Sequence, residues 1–282
     1  MDDEMDTIHG RRKRMKADLV MWAKNGAALL PLVLKRAEEV LPREVIGKKI
    51  FADDHSTDES AKIAEEFGWC VYPNEKGGVG CGANTALRHV ESECFISLEQ
   101  DILLAKNWFE KISKHLDRED VAVAQGWRYP DHPVLKKIDE FAFEKSNFTL
   151  NSIDNTMYKT KVVKSLGGFP EDIRYGAADT HLRRRIEKAG LKWITDPTVI
   201  SIHMRKGGLK EQMRRLYLYG LYAPWEAGEF TAETKTSRAV KIALASPLRA
   251  FEIAVKKHCP EAMYYYPLTR FSFMLGALRR GV

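Results

Sequence analysis

The chain has 282 residues, 44% hydrophobic and 30% charged, a balance that fits a folded α/β domain with an appendage and excludes a repetitive or low-complexity chain. The net charge of +6 and pI of about 9.0 fit an anionic partner, whether a nucleotide, a phospholipid headgroup or a nucleic acid. Cys70, Cys81, Cys94 and Cys259 form no C-x-x-C pair, which excludes a zinc finger and reads as small hydrophobes in a reducing compartment.

Residues 1–16, acidic and then basic from Arg11 to Lys16, read as a disordered charged tail with no apolar segment of the secretory kind. Alternation by period follows. Leu19–Trp22 reads as a strand, and Ala27–Leu41 as a helix with Leu30, Leu34, Ala37 and Leu41 on one face. Lys49–Ala52 is a second strand. The helix after it, Glu59–Phe67, is opened by a capping box from Ser56 to Glu59. Trp69–Tyr72 and Cys94–Leu98 are further strands around a helix at Ala83–Val90; a helix at Asn107–Leu116 then leads to a fifth strand, Val121–Ala124. Connections this short imply parallel strands in an open α/β sheet.

The stretch 126–205 is less regular, with Gly167-Gly168-Phe169, a helix from Asp179 to Ala189 and a β-rich run at 198–202. Residues 206–282 are helical and basic with interleaved aromatics, and no apolar run is long enough to span a bilayer. The expected layout is a catalytic domain over 17–205, with a nucleotide-binding half to about 125 and an acceptor half beyond it, followed by a helical region.

Ligands of an open parallel sheet lie beyond the carboxyl ends of its strands. The first strand is followed by Lys24-Asn25-Gly26, the second by Asp53-Asp54-His55-Ser56, the third by Pro73-Asn74-Glu75-Lys76-Gly77-Gly78 and the fourth by Glu99-Gln100-Asp101. Four polar strand ends in succession point to a nucleotide site. Asn25, Asp53, Asp54, Asn74, Gly77, Asn84 and Glu99 are its candidate contacts, Asn84 by its place near the start of the helix after the glycine run. Glu99 and Asp101, one residue apart after a buried strand, suit a hard cation, Mg²⁺ or Mn²⁺, that bridges to phosphates.

These runs carry a resemblance. ADDHSTDES (52–60) resembles the VDDGSTDGT signature of the family 2 inverting glycosyltransferases, and NEKGGVGCGANTALRH (74–89) their N-x-G…A-x-N-x-A segment. LEQD (98–101) stands in the place of their D-x-D, while GGFPED (167–172) and AADTHLRRRIEKAGLKW (177–193) are similar to their GGF-[DP]-E and E-D-x-x-L-x-x-R stretches. The resemblance covers roughly residues 17–205, in order. It implies a GT-A type, Rossmann-like, mostly parallel sheet and an inverting transfer from a nucleoside-diphosphate sugar aided by a divalent metal. Asp53 or Asp54 would bind the base, Glu99 the ribose or metal, and Asp101 the metal. His203 would join the metal set, and Asp179 would be the general base. Two positions depart from the pattern: Glu99 replaces an Asp, and Ala178 the Glu beside the base. They leave open, as the alternative, a non-catalytic or weakly active member of the same fold that binds a sugar nucleotide or a glycan.

Gln212-Met213-Arg214-Arg215 is similar to part of the Q-x-x-R-W motif of processive synthases, with Leu216 in place of the Trp; Arg214 and Arg215 are candidate phosphate contacts. Tyr264–Gly281 reads either as a helix packed on the core or as a surface helix among anionic lipid headgroups, which would suit a polyprenyl-phosphate-linked acceptor; the expected acceptor is a glycan or such a lipid-linked one. A cytoplasmic protein, at the membrane's cytoplasmic face in the second reading, is expected. Nucleic acid is not an expected partner, because the basic residues follow no nucleic-acid motif.

Overall fold

The computed structural model describes residues 15–146, 152–171, 178–205, 207–222 and 232–279. Most of the expected tail (1–14), Asp172 and Ala177 of the quoted motifs, and Arg280 lie outside them. The chain divides into two units, one of 1–128, 150–172 and 178–203, the other of 129–149, 173–177 and 204–282. The second therefore takes in a segment, 129–149, expected in an acceptor half of the catalytic domain.

The first unit is built on an eight-stranded sheet. Its strands are β1 (Ala17–Ala23), β2 (Ile46–Asp53), β3 (Cys70–Pro73), β4 (Cys94–Leu98), β5 (Ile102–Leu103), β6 (Val121–Pro130, whose last two residues belong to the second unit), β7 (Thr156–Lys159) and β8 (Lys192–His203), in the order β3-β2-β1-β4-β7-β6-β8-β5. β1 is buried along its whole length, as a strand covered on both faces must be, and pairs in parallel with β2 and β4; β2 pairs in parallel with β3. The expected parallel alternation thus describes β1 to β4. β7, which no local pattern announces, runs antiparallel between β4 and β6. The fold is an open α/β sheet flanked by helices, with its core between them.

Helix α1 (Leu30–Val40) buries Leu30, Val33, Leu34 and Ala37, the i, i+3, i+4, i+7 stripe of an amphipathic helix, with Pro31 in its first turn. α2 (Ser60–Glu66) begins at Ser60, with Glu59 at its N-cap and no side-chain cap, so the expected capping box does not form. Ser56 instead accepts a hydrogen bond from the Asn25 N–H at 3.0 Å. α3 (Val79–His89) starts four residues before its expected beginning, inside the glycine run. Packing overrides propensity there: a Cβ on Gly80 would collide with the Pro170 carbonyl, and one on Gly82 would lie 2.9 Å from Trp22 Cβ. α4 (Trp108–Leu116), α6 (Thr160–Ser165) and α7 (Ala178–Lys188) complete the unit's helices among the described residues. Its core centres on stacked Phe95 and Tyr158, 4.5 Å apart, with Trp193 and Phe169 edge-on to Tyr158.

The second unit is helical: α5 (Pro133–Ser146), α8 (Leu209–Leu221), α9 (Ala232–Lys256) and α10 (Ala262–Arg279). Val134, Ile138 and Phe141 of α5 pack with Ile253, Cys259, Ala262 and Tyr265. α8 and α10 meet backbone to backbone, since a Cβ on Gly220 would overlap the Phe273 carbonyl and one on Gly276 the Tyr217 carbonyl. No helix among the described residues is long and apolar enough to cross a membrane.

Candidate active site

The ends of β1, β2 and β4 and the turn before α3 surround a cavity of about 240 Å³ lined by Trp22, Ala23, Lys24, Asp54, Gly78, Val79, Glu99, Gln100 and Asp101. Much of its polar lining is held by the protein itself. Gln100 accepts from the Lys24 N–H and donates to the Lys24 carbonyl, each at 3.2 Å, tying β4 to β1. Asp54 Oδ1 accepts from Asn74 Nδ2 at 2.7 Å and from the Gly78 N–H at 3.0 Å, which fixes the turn where Gly77 and Gly78 take positive φ of 71° and 89°. Asp53 Oδ2 accepts from the Ser56 N–H at 3.1 Å, while its Oδ1 is buried without a hydrogen-bond partner.

The three asparagines expected to touch a nucleotide serve as braces. Asn25, itself at positive φ, accepts from the Thr57 N–H at 2.8 Å and clips β1 to the loop after β2. Asn74 is 1% exposed and holds Asp54 and the Gly78 carbonyl. Asn84 donates to the Phe169 carbonyl and accepts from the Phe169 N–H, both at 2.8 Å, pinning the Gly167-Gly168-Phe169 turn to α3. None of the three lines the cavity. A short amide at a strand end satisfies stray backbone groups as readily as it meets a ligand, and these three hold such groups.

Glu99, Asp101 and His203 converge at the cavity's edge, and one ligand atom from each lies within 4.8 Å of the others. Strand register makes this meeting. β5 follows Asp101 directly and pairs antiparallel with the end of β8, Ile102 opposite His203 and Leu103 opposite Ile202. A one-residue slip of β8 would turn His203 to the other face of the sheet. His203 Nε2 lies 3.2 Å from Asp101 Oδ2, and its Nδ1 lies 3.0 Å from Arg128 Nη1. Because a guanidinium only donates, Nδ1 is the accepting nitrogen, and the neutral ring carries its proton on Nε2, towards Asp101. Two carboxylates and one imidazole within reach of one point make a donor set that fits Mn²⁺ or Mg²⁺ and leaves coordination places for phosphate oxygens.

Arg128 and Asp154 were not singled out in the sequence. Arg128 donates from Nε to Asp154 Oδ2 at 2.7 Å and from Nη2 to Ser152 at 3.2 Å, with 17% of the Arg and 1% of the Asp side chain exposed. Replacing Arg128 with methionine leaves the Asp154 carboxylate buried without its cation. It is expected to lower stability by about 3–5 kcal/mol, read as a drop in Tm that Asp154→Asn partly restores in the double variant. Asp154 and Arg128 also act on Asp179, in the first turn of α7. Burial pushes the Asp179 carboxyl above the usual carboxylate range. Hydrogen bonds from the Thr180 N–H (2.6 Å) and hydroxyl pull it down, the Asp154 charge raises it further, and the Arg128 charge lowers it. Ala178, where a second carboxylate was missed, therefore does not leave Asp179 without a negative neighbour.

Residues 19–166 match the family model of Glycosyl transferase family 2, more than half of the chain. The chain belongs to glycosyl transferase family 2. Solved structures share its fold at low identity. The mannosyltransferase PcManGT from Pyrobaculum calidifontis, in complex with GDP-Man and Mn²⁺, is 19% identical with a TM-score of 0.62, over 95% of this chain and 87% of that one. TarS (1–349) of S. aureus with UDP-GlcNAc is 15% identical with a TM-score of 0.54, over 95% and 92%. Glucosyl-3-phosphoglycerate synthase from Mycobacterium tuberculosis, with Mn²⁺, UDP and phosphoglyceric acid, is 16% identical with a TM-score of 0.55, over 71% and 74%. No curated protein matches the chain. In this family 2 glycosyltransferase, Arg214 and Arg215 lie on α8 of the second unit, where Arg214 pairs with Glu211 at 3.2 Å and Arg215 sits 5.5 Å from the Tyr219 ring centre.

Proposed function

We propose that the protein transfers a sugar, with inversion, from a nucleoside-diphosphate donor to an acceptor hydroxyl or lipid phosphate, using Mn²⁺ or Mg²⁺ held by Glu99, Asp101 and His203. The convergence of those three side chains on the rim of the strand-end cavity carries the reading. It is supported by the solved neighbours that hold Mn²⁺ with GDP-Man or with UDP.

The residues divide the work as follows. The buried, unpartnered Oδ1 of Asp53 is an acceptor in need of a donor and is assigned to an N–H of the base. Asp54 holds the Gly77-Gly78 turn, whose side-chain-free backbone lets a diphosphate approach. The bound cation supplies Lewis-acid stabilisation of the charge that grows on the departing diphosphate. Asp179, its pKa raised by burial, takes the acceptor proton as the acceptor oxygen attacks the anomeric carbon from the face opposite the leaving group. Four free cysteines fit work in the reducing cytoplasm.

A panel of UDP-, GDP- and dTDP-sugars, assayed with and without Mn²⁺, tests this. Metal-dependent consumption of one donor, with a product of inverted anomeric configuration by NMR, is expected. Tight donor binding with no turnover on any acceptor or water would identify a sugar-nucleotide-binding protein instead.

A further inference from the structure

We propose that α9 and α10 lay an apolar face on the surface of an anionic lipid bilayer. On α9, Leu244, Leu248, Phe251 and Val255 are all exposed, Leu248 by 77%, at spacings of four, three and four residues that place them on one side of the helix. On α10, Tyr264, Leu268, Phe271, Leu275 and Leu278 are exposed at the same helical spacing, a stripe about 21 Å long. The opposite sides are already occupied: Ala239, Ala243, Ala250 and Ile253 of α9 and Ala262, Tyr265 and Ala277 of α10 are buried. These stripes are therefore surplus to the unit's own packing. Scattered exposed leucines need no explanation, but nine large apolar side chains in two ordered rows do.

Charge selects the occupant. Residues 204–282 hold 14 Lys and Arg against 6 Asp and Glu, so the chain's excess of positive charge sits here, and α10 contains no acidic residue. On the helical wheel of α9, Arg238, Lys241, Arg249 and Lys256, all exposed, border one side of its stripe. Their lone acidic companion there, Glu252, is bonded to Lys145 and lies 3.2 Å from Lys256. An apolar stripe with a basic border is the composition of a helix that lies in the headgroup plane, its apolar side in the acyl boundary and its cations on anionic phosphates. A second copy seated antiparallel on the same stripe by two-fold symmetry would oppose one basic border with another. No described helix is suited to cross the bilayer, so the contact is made lying flat.

Sedimentation of the full chain with phosphatidylcholine vesicles, with and without phosphatidylglycerol, tests the proposal. Co-sedimentation is expected with the phosphatidylglycerol vesicles, weakening as salt rises. Leu248→Glu and Leu275→Glu are each expected to weaken it by about tenfold, since each withdraws one exposed apolar side chain from the acyl boundary. Both positions are exposed, so an unchanged Tm confirms that the fold is kept. Partitioning that ignores both variants, or no partitioning, overturns the proposal. So does a dimer in analytical ultracentrifugation that either variant dissolves. The readout requires no turnover: metal-dependent nucleotide binding measured on the same samples tests the catalytic reading separately.

Discussion

Replacing Asp179 with asparagine is expected to lower kcat by about 10²–10⁴-fold while the affinity for the nucleoside-diphosphate donor is retained. The variant keeps the shape of the side chain and removes its basicity. A helix-terminal role would lose little, because the amide oxygen still accepts from the Thr180 N–H as the carboxylate does at 2.6 Å. Single-turnover rates and isothermal titration of donor binding separate the two outcomes. A pH profile adds a second readout. The base works deprotonated, and burial and the Asp154 charge favour its protonated form. Turnover is therefore expected to fall on acidification at a pH above the ordinary carboxylate range, where an exposed Asp would still be ionised. Asp154→Asn removes one cause of the upward shift and is expected to move that limb to lower pH. If Asp179→Asn turns over like the parent enzyme, the base lies elsewhere.

Asp101→Asn is expected to weaken Mn²⁺ binding by at least about a hundredfold, since loss of a supporting group alone commonly costs ten- to a hundredfold and here a ligand is lost. Titration followed by the Mn²⁺ electron paramagnetic resonance signal reads this with no sugar present. His203→Ala is expected to fall in the same direction. The two losses should not add, because each variant disables one shared site. Retained affinity in Asp101→Asn would sink the assignment of this cluster as the metal site.

What was legible in the sequence was whatever is written in consecutive residues. The first four strands and their polar ends show as runs, and Glu99 and Asp101 sit one residue apart. Long-range pairing leaves no such mark. Arg128 meets Asp154 across 26 residues because β6 and β7 lie side by side, and His203 reaches Asp101 across 102 residues through a two-residue ladder. The asparagines show the same limit: residue type announces hydrogen bonding, but the partners each finds within the protein depend on the packing of α3 and β1. The glycine run misled because low helix propensity is a local quantity, while the close approach of Pro170 to Gly80 that demands glycine is not. The grouping of 129–149 with the C-terminal helices was equally hidden, since Phe141 finds Ile253 more than a hundred residues away.

The bond between Arg128 and His203 has a consequence for how the metal is taken up. A neutral imidazole has one lone pair in its ring plane to give, and Arg128, at 3.0 Å from Nδ1, claims it there. A cation seated on Nε2 needs that lone pair on the other nitrogen. The ring proton must then stand on Nδ1, facing a guanidinium that has nothing to accept it with. Arginine and a cation at Nε2 would thus be rivals for a single electron pair. A cation held there would therefore displace the bond that Arg128 gives to the ring, which couples the residue that anchors Asp154 to the metal site.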